Sequence, residues 1–123
     1  MENQVKKSIL VVDDVKSNLM FLYNILKEDY TLLTARNGPE AIERANKFVP
    51  DLILLDILMP GMDGYTVLTE LKNSGKTQNI PVIFTTGLDD HDDESKGLSL
   101  GAVDYISKPF DSAIVKQRVK KHL

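Results

Sequence analysis

Five short apolar runs alternate with amphipathic segments along this chain. The runs lie at Ser8–Val12, Thr31–Ala35, Asp51–Leu55, Pro81–Thr85 and Val103–Ser107. Runs of this length and continuous hydrophobicity are typical of parallel strands that helices cover on both faces. Strands that alternate with helices join into right-handed βαβ units. The sequence therefore predicts an α/β fold, a doubly wound five-stranded parallel sheet with helices on both faces.

The intervals between these runs carry helical patterns. Asn18–Leu26 directs Tyr23 and the leucines at 19, 22 and 26 to one face, and Asn37–Phe48 directs Phe48 inward together with Ala41, Ile42 and Ala45. Three further helices are predicted within Gly64–Asn73, Asp89–Leu100 and Ser112–Leu123. The fourth predicted helix is acidic and the fifth is basic.

The composition excludes several classes of protein. The chain has 123 residues, 42% of them hydrophobic and 27% charged, which indicates a globular protein and not a disordered one. A net charge of −3 argues against nucleic-acid binding, and the absence of cysteine excludes disulfides and thiolate catalysis. No apolar run approaches the ~20 residues of a membrane span, so a cytoplasmic location is expected. No linker interrupts residues 1–123, which are predicted to form a single domain.

Polar side chains stand where the predicted strands end. Asp13 and Asp14 follow the first strand, Asp56 stands at the end of the third, Thr86 follows the fourth and Lys108 follows the fifth. Ligands of an open α/β sheet bind outside the carboxyl ends of its strands, so these side chains are expected to meet. Three adjacent carboxylates need more positive charge than one lysine supplies, and Mg²⁺ suits oxygen ligands and phosphate. Asp56 is then a candidate nucleophile toward phosphorus.

Each of these residues also has a purely structural interpretation. Asp13 and Asp14 could cap the helix that follows them, Thr86 could be an ordinary strand-end residue, and Lys108 could be a solvated charge. Asp56 is harder to explain in this way, because carboxylates are rarely placed in apolar runs without a partner. Their common position at one edge of the sheet favours a functional site.

Four segments around these residues resemble the receiver domain of two-component response regulators. They are ILVVDD at the first strand, DLILLDILMPGMDG at the third, PVIFTTG at the fourth and GAVDYISKPF at the fifth. The resemblance covers essentially the whole chain. It implies the flavodoxin-like receiver fold and a phosphorylation-activated signalling switch. Such a domain catalyses its own phosphorylation and slow dephosphorylation and is not a turnover enzyme.

The resemblance also implies a metal site and a phosphorylation site. Asp56 would accept a phosphoryl group from a phosphohistidine kinase and form an acyl phosphate. Mg²⁺ would be bound directly by Asp14, with help from Asp13 through water, and by Asp56 and the backbone carbonyl of Leu58. Lys108 would pair with one phosphoryl oxygen.

A switch is implied at the other strand ends. Thr86 would hydrogen-bond a second phosphoryl oxygen, and Tyr105 would be the aromatic whose rotamer follows the movement of Thr86. Tyr105 also fits the description of a half-buried strand aromatic. The Lys108–Pro109 peptide would be cis. Gly87 stands where the family commonly has alanine, and glycine should be tolerated there.

Three alternative functions share parts of the pattern. A metal-dependent phosphatase with an aspartyl nucleophile would want Asp-x-Asp after the first strand, and usually a cap domain. A flavin-binding electron carrier would need a Ser/Thr/Gly-rich phosphate loop at the position where Asp13 and Asp14 would repel phosphate. A degenerate receiver would serve only as a docking module, whereas this chain keeps every phosphorylation residue.

The resemblance implies partners as well. A sensor histidine kinase or phosphotransfer protein would donate the phosphoryl group, and an output domain or downstream effector would read the face of the fourth helix, fifth strand and fifth helix. Asp89–Glu94 and Lys116–Lys121 lie on that face as solvated charges or as the contacts of a phosphorylation-dependent homodimer. Neither nucleic acid nor membrane is expected as a direct partner.

The segment AIVKQRVKKHL is similar to receivers that continue into a cyclic-dinucleotide enzyme domain, so the chain is either a stand-alone receiver or part of a longer regulator.

The lifetime of the phosphorylated form should be long. Leu58 and Leu88 stand two residues beyond Asp56 and Thr86, at positions where the family varies, and neither leucine can orient an attacking water by hydrogen bonding. Polar replacements at both positions should therefore make the phosphorylated protein decay severalfold faster than the unsubstituted chain, as followed by intact mass. Decay that is unchanged or slower would contradict this explanation.

Overall fold

The structure is a computed structural model that describes residues 6–87 and 96–123. Its strands are β1 (Ser8–Val12), β2 (Thr31–Ala35), β3 (Leu52–Asp56), β4 (Val82–Thr86) and β5 (Asp104–Ser107). Its helices are α1 (Lys16–Leu26), α2 (Gly38–Phe48), α3 (Gly64–Lys72), α4 (residues 96–99) and α5 (Ser112–Lys121). The predicted acidic helix falls largely on residues 88–95, outside the described residues. None of the described helices has the length and apolar character needed to cross a membrane.

All five strands are parallel and lie in the order β2-β1-β3-β4-β5. The predicted α/β fold, with one doubly wound parallel sheet, is therefore confirmed. The chain runs from β1 outward to β2 and then returns across β1 to place β3 on its other side. This reversal creates a switch point between β1 and β3, where open α/β sheets bind their ligands.

Alternate side chains of the strands enter two separate apolar layers. The α2/α3 layer contains Leu10, Val12, Ile53, Leu55, Val82, Phe84 and Tyr105, packed against residues such as Ala41, Ala45, Val67 and Leu68. The α1/α5 layer contains Ile9, Val11, Leu52, Leu54, Ile83 and Ile106, packed against Leu19, Leu22, Leu26, Val115 and Val119. Both faces of the central strands are covered, which explains their continuous hydrophobicity.

Some boundaries and core positions differ from the prediction. Strand β4 ends one residue later than predicted, so Thr86 is its last residue and does not follow it, whereas Asp56 ends β3 as predicted. Tyr23 and Phe48 were expected in the core, but they are 39% and 49% exposed. Tyr23 lies one position beyond the leucine stripe of α1. Phe48 is the last residue of α2, where its ring lies 5.2 Å from Lys47 Nζ.

The loop between β3 and α3 is held tightly against the strand ends. Ile57 donates its N–H to the Thr85 carbonyl at 3.2 Å, and Gly64 donates to the Ile57 carbonyl at 2.8 Å. Gly61 has a φ of 79°, which favours glycine. A Cβ on Gly64 would lie 2.5 Å from the Asp56 carbonyl oxygen and 2.8 Å from Ile57 Cα. Gly64 therefore lets α3 start directly against the end of β3.

Replacing Gly64 with alanine should destabilise the fold because backbone atoms would have to move away from the new methyl group. We expect Gly64→Ala to lower the free energy of unfolding by roughly 1–3 kcal/mol in urea denaturation. Gly75→Ala is the matched control, since no atom lies within 4 Å of a Cβ at that position. Equal stability of the two variants would contradict the close approach.

Candidate functional site

Three carboxylates converge at the switch point between β1 and β3. Asp13, Asp14 and Asp56 each place an oxygen within 4.8 Å of the others. The convergence follows from register, because Val12 pairs with Leu55 and the residue after each of them in the chain is an aspartate. Asp13 is completely buried and Asp56 is 2% exposed, whereas Asp14 is partly exposed. The predicted meeting of these acids at one edge of the sheet is confirmed.

Lys108 faces two of the buried acids. Its Nζ donates to Asp56 Oδ1 at 3.2 Å and lies 3.1 Å from Asp13 Oδ2. The contact with Asp13 does not have hydrogen-bond geometry, and no other described residue hydrogen-bonds that buried oxygen. The lysine itself is fixed by its backbone N–H, which donates to the Thr86 carbonyl at 2.7 Å. The Lys108–Pro109 peptide is cis, as predicted.

The charges at this site are unbalanced. Burial raises the pKa of the Asp56 carboxyl from 3.8 to about 6, and the charge of Asp13 adds to the rise while Lys108 opposes it. Burial alone would lower the pKa of Lys108, but Asp56 and Asp13 outweigh it and raise that pKa. One ammonium therefore does not fully offset the neighbouring carboxylates.

The site fits a divalent cation with a preference for oxygen ligands. It offers carboxylate oxygens from three side chains, and Asp13 Oδ2 is buried without a hydrogen-bond donor among the described residues. Hard cations such as Mg²⁺ take such oxygens together with water and phosphate. The Leu58 side chain is 58% exposed, and only the backbone of this residue could contribute a ligand.

Helix capping does not account for the two acids after β1. The N-cap residue of α1 is Val15, and its side chain accepts no hydrogen bond from the N–H groups of the helix. Asp13 Oδ1 accepts from the Val15 N–H at 2.9 Å, so one oxygen orders the backbone while the other faces Lys108. The helix does not use the Asp14 side chain as a cap, which leaves this carboxylate available to a cation.

Thr86 and Tyr105 lie on the opposite face of the sheet from Asp56. Thr86 is 3% exposed and follows Phe84, which belongs to the α2/α3 layer. Tyr105 is 6% exposed and its ring centroid lies 5.9 Å from that of Phe84. A Cβ on Gly97 of α4 would overlap the Tyr105 hydroxyl. Tyr105 is thus buried and not half-buried. Gly97 makes room for its hydroxyl, and no sequence motif pointed to this glycine.

The structure also gives internal partners to part of the basic helix. Arg118 Nη1 donates to Asp104 Oδ1 at 2.9 Å and to the Tyr105 carbonyl at 2.6 Å. His122 Nε2 lies 2.9 Å from Asp104 Oδ2. These bonds fix the end of α5 to β5, at the side of the sheet where no other described strand pairs. The sequence showed only a run of basic residues, because Asp104 is distant along the chain.

A parallel α/β sheet with an acid cluster and a lysine at its switch point defines a receiver-type signalling domain. A family model for the response regulator receiver domain matches residues 9–120, and the chain belongs to this family. Members of the family are phosphorylation-activated switches of two-component systems and interact with histidine kinases and output domains. The resemblance seen in the sequence is confirmed.

Relatives and solved structures agree with this assignment. The chain is 43% identical over its full length to a Vibrio cholerae protein named "Probable cyclic di-GMP phosphodiesterase", and 44% identical over 91% of its length to the response regulator PleD of Caulobacter vibrioides. It spans only 28% and 25% of these two proteins. The Vibrio cholerae chemotaxis protein CheY4 superposes with a TM-score of 0.92 at 25% identity, covering 97% of this chain and 100% of that one.

Removing the Asp56 charge should stabilise the protein in metal-free buffer. We expect Asp56→Asn to raise the free energy of unfolding at pH 7 by roughly 1–3 kcal/mol, because the folded state raises the pKa of this carboxyl above its unfolded value. The gain should be full above pH ~6 and vanish below pH ~4, where both states are protonated. Urea denaturation with a chelator present measures it.

The exposed variant Asp29→Asn is the control for this comparison and should leave the stability unchanged. A destabilised Asp56→Asn, or a gain that grows as the pH falls, would show that burial and Asp13 do not oppose the ionised form of Asp56.

Proposed function

We propose that this domain is a signalling switch that accepts a phosphoryl group on Asp56 from a phosphohistidine kinase or phosphotransfer protein, in a reaction that depends on Mg²⁺. One observation carries the proposal. Asp56 is 2% exposed, accepts a hydrogen bond from Lys108 and lies within 4.8 Å of two further carboxylates. A buried acid with a lysine donor and room for a cation is suited to phosphoryl transfer, which depends on positioning and charge neutralisation.

The ion would be held by Asp13, Asp14, Asp56 and the backbone carbonyl of Leu58. Bound Mg²⁺ would supply the positive charge that neutralises these acids and the oxygens of the incoming phosphoryl group. The proposal is supported by the carboxylate donors themselves and by the unsatisfied oxygen of Asp13.

The protein residues would then act in a defined order. A carboxylate oxygen of Asp56 attacks phosphorus while the bond from phosphorus to the histidine nitrogen breaks and leaves its electron pair on the imidazole. The product is an acyl phosphate on Asp56. The Lys108 ammonium transfers its hydrogen bond to a phosphoryl oxygen, and the Thr86 hydroxyl donates to another. Tyr105 follows Thr86 and changes the surface that a partner reads.

The signal would leave through the face of α4, β5 and α5. Arg118 supports this route, since it joins α5 both to Asp104 and to the carbonyl of Tyr105. We further propose residues 1–123 as one receiver domain whose output is a cyclic-dinucleotide enzyme domain, in keeping with the name of the Vibrio cholerae relative. A phosphorylation-dependent homodimer through this face belongs to the same proposal.

Phosphohistidine donors draw on ATP, which is the reason for proposing a cytoplasmic location.

Direct phosphorylation tests this function. Incubation with Mg²⁺ and acetyl phosphate should add the mass of one phosphoryl group, and chelation of Mg²⁺ should abolish the gain. Asp56→Asn should show no gain because it lacks the accepting oxygen, whereas the exposed Asp29→Asn should behave as the wild type. Intact-mass spectrometry gives the stoichiometry.

The chemistry of the adduct provides a second readout. An acyl phosphate reacts with hydroxylamine, so treatment should release the phosphoryl group as phosphate and leave a hydroxamate at Asp56, which makes the protein heavier than the unmodified chain by one NH group. A mass gain that persists in Asp56→Asn, or one that resists hydroxylamine, would rule out Asp56 as the acceptor.

A further inference from the structure

Thr85 carries a buried hydroxyl that the proposed mechanism does not use. The residue is 1% exposed, and its Oγ1 has no hydrogen-bond partner among the described residues. In residues 6–87 and 96–123, Asp13 Oδ2 is the other buried side-chain oxygen in this condition. An unpartnered buried hydroxyl destabilises a fold, and a valine of the same shape would avoid that cost. We therefore looked for a hydrogen-bond partner that the hydroxyl would gain in another state of the domain.

Strand register places Thr85 beside Asp56. The two residues are direct partners across β3 and β4. Two residues earlier, Leu54 and Ile83 both enter the α1/α5 layer, so alternation directs Asp56 and Thr85 to that same face. Neighbouring strands lie about 4.8 Å apart, so side chains in register on the same face are within reach of a hydroxyl.

The neighbouring strand brings Lys108 to the same face. Thr85 pairs with Ile106 of β5, which also belongs to the α1/α5 layer. Lys108 follows two residues later and its Nζ donates to Asp56 Oδ1 at 3.2 Å. Among the described residues, this ammonium is the side-chain donor to Asp56 in the unphosphorylated protein. Thr85 lies on the strand between the acid and the lysine, and its hydroxyl makes no hydrogen bond to a described residue.

Phosphorylation would change this arrangement of donors. When Lys108 pairs with a phosphoryl oxygen, the remaining carboxyl oxygen of Asp56 becomes the carbonyl oxygen of an acyl phosphate. It would remain a ligand of the ion, but it would lose the hydrogen bond from Lys108. We propose that the Thr85 hydroxyl then donates to this carbonyl oxygen. The inference rests on the proposed function, since it concerns the acyl phosphate on Asp56.

This hydrogen bond would govern how fast the signal decays. In hydrolysis, water attacks phosphorus, the bond from phosphorus to the Asp56 oxygen breaks, and its electron pair remains on the carboxylate. The proton of the attacking water leaves with the released phosphate. Negative charge grows on the carboxyl group as the bond breaks, so a donor to its other oxygen binds the transition state more strongly than the acyl phosphate. Thr85 accelerates dephosphorylation through this difference.

Isosteric replacement of Thr85 tests the proposal. The protein and its variants are phosphorylated with acetyl phosphate and Mg²⁺, the donor is removed, and the decay is followed by intact mass. Thr85→Val should decay about three- to tenfold more slowly, the loss expected for one hydrogen bond. Thr85→Ser keeps the hydroxyl and should restore a rate within about twofold of the wild type. Thr31→Val removes an exposed hydroxyl at the other end of the sheet and should not change the decay.

Unfolding in urea supplies a readout that does not depend on phosphorylation. Unphosphorylated Thr85→Val should have a midpoint equal to or above that of the wild type, because it loses an unpartnered hydroxyl. Thr85→Ala provides the hydroxyl-free comparison if valine disturbs the packing. Decay of the hydroxyl-free variants at the wild-type rate, or decay of Thr85→Ser as slow as Thr85→Val, would overturn the proposal. A wild-type protein that takes up no phosphoryl group would instead refute phosphorylation itself, and this inference with it.

Discussion

The contact of one lysine with two buried carboxylates is the interaction on which the site depends. Lys108 lies 3.1 Å from Asp13 Oδ2 and 3.2 Å from Asp56 Oδ1, and Asp14 stands beside them. Buried charges of one sign are unfavourable unless they are paired, so the arrangement holds only while positive charge is available. The same imbalance raises the pKa of Asp56. It makes the site receptive both to a divalent cation and to a group that redistributes the charge.

The sheet separates the residues proposed for phosphoryl transfer from those proposed for the switch. Asp56, Thr85 and Lys108 belong to the face of the α1/α5 layer, whereas Thr86 and Tyr105 belong to the face of the α2/α3 layer. Neighbouring residues of a strand point to opposite faces, so Thr85 and Thr86 of β4 direct their side chains to different sides of the sheet. The Lys108 N–H bonds the Thr86 carbonyl at 2.7 Å. Lys108, which donates a hydrogen bond to Asp56, is therefore also bonded to the end of β4.

The edge strand β5 connects the buried Tyr105 ring to helix α5. Its Tyr105 packs against Phe84 and α4, while its backbone carbonyl accepts from Arg118 of α5. Asp104 holds Arg118 and His122 at the same edge. The charges of α5 are consequently divided between an internal network and the solvent, and a partner at this face would meet a surface whose shape depends on β5.

The sequence by itself determined the fold class, the five strands and the acids that end them, because hydrophobic periodicity and strand-end positions are local properties of the chain. Motif spacing also identified the family and the residues proposed for its chemistry. Only the tertiary structure decided what depends on register and close approach. It showed that Asp56 lies opposite Thr85, that Gly97 admits Tyr105, and that Arg118 is bound to Asp104. The members of each pair lie on different secondary-structure elements, and no local pattern specifies which buried groups find a partner and which do not.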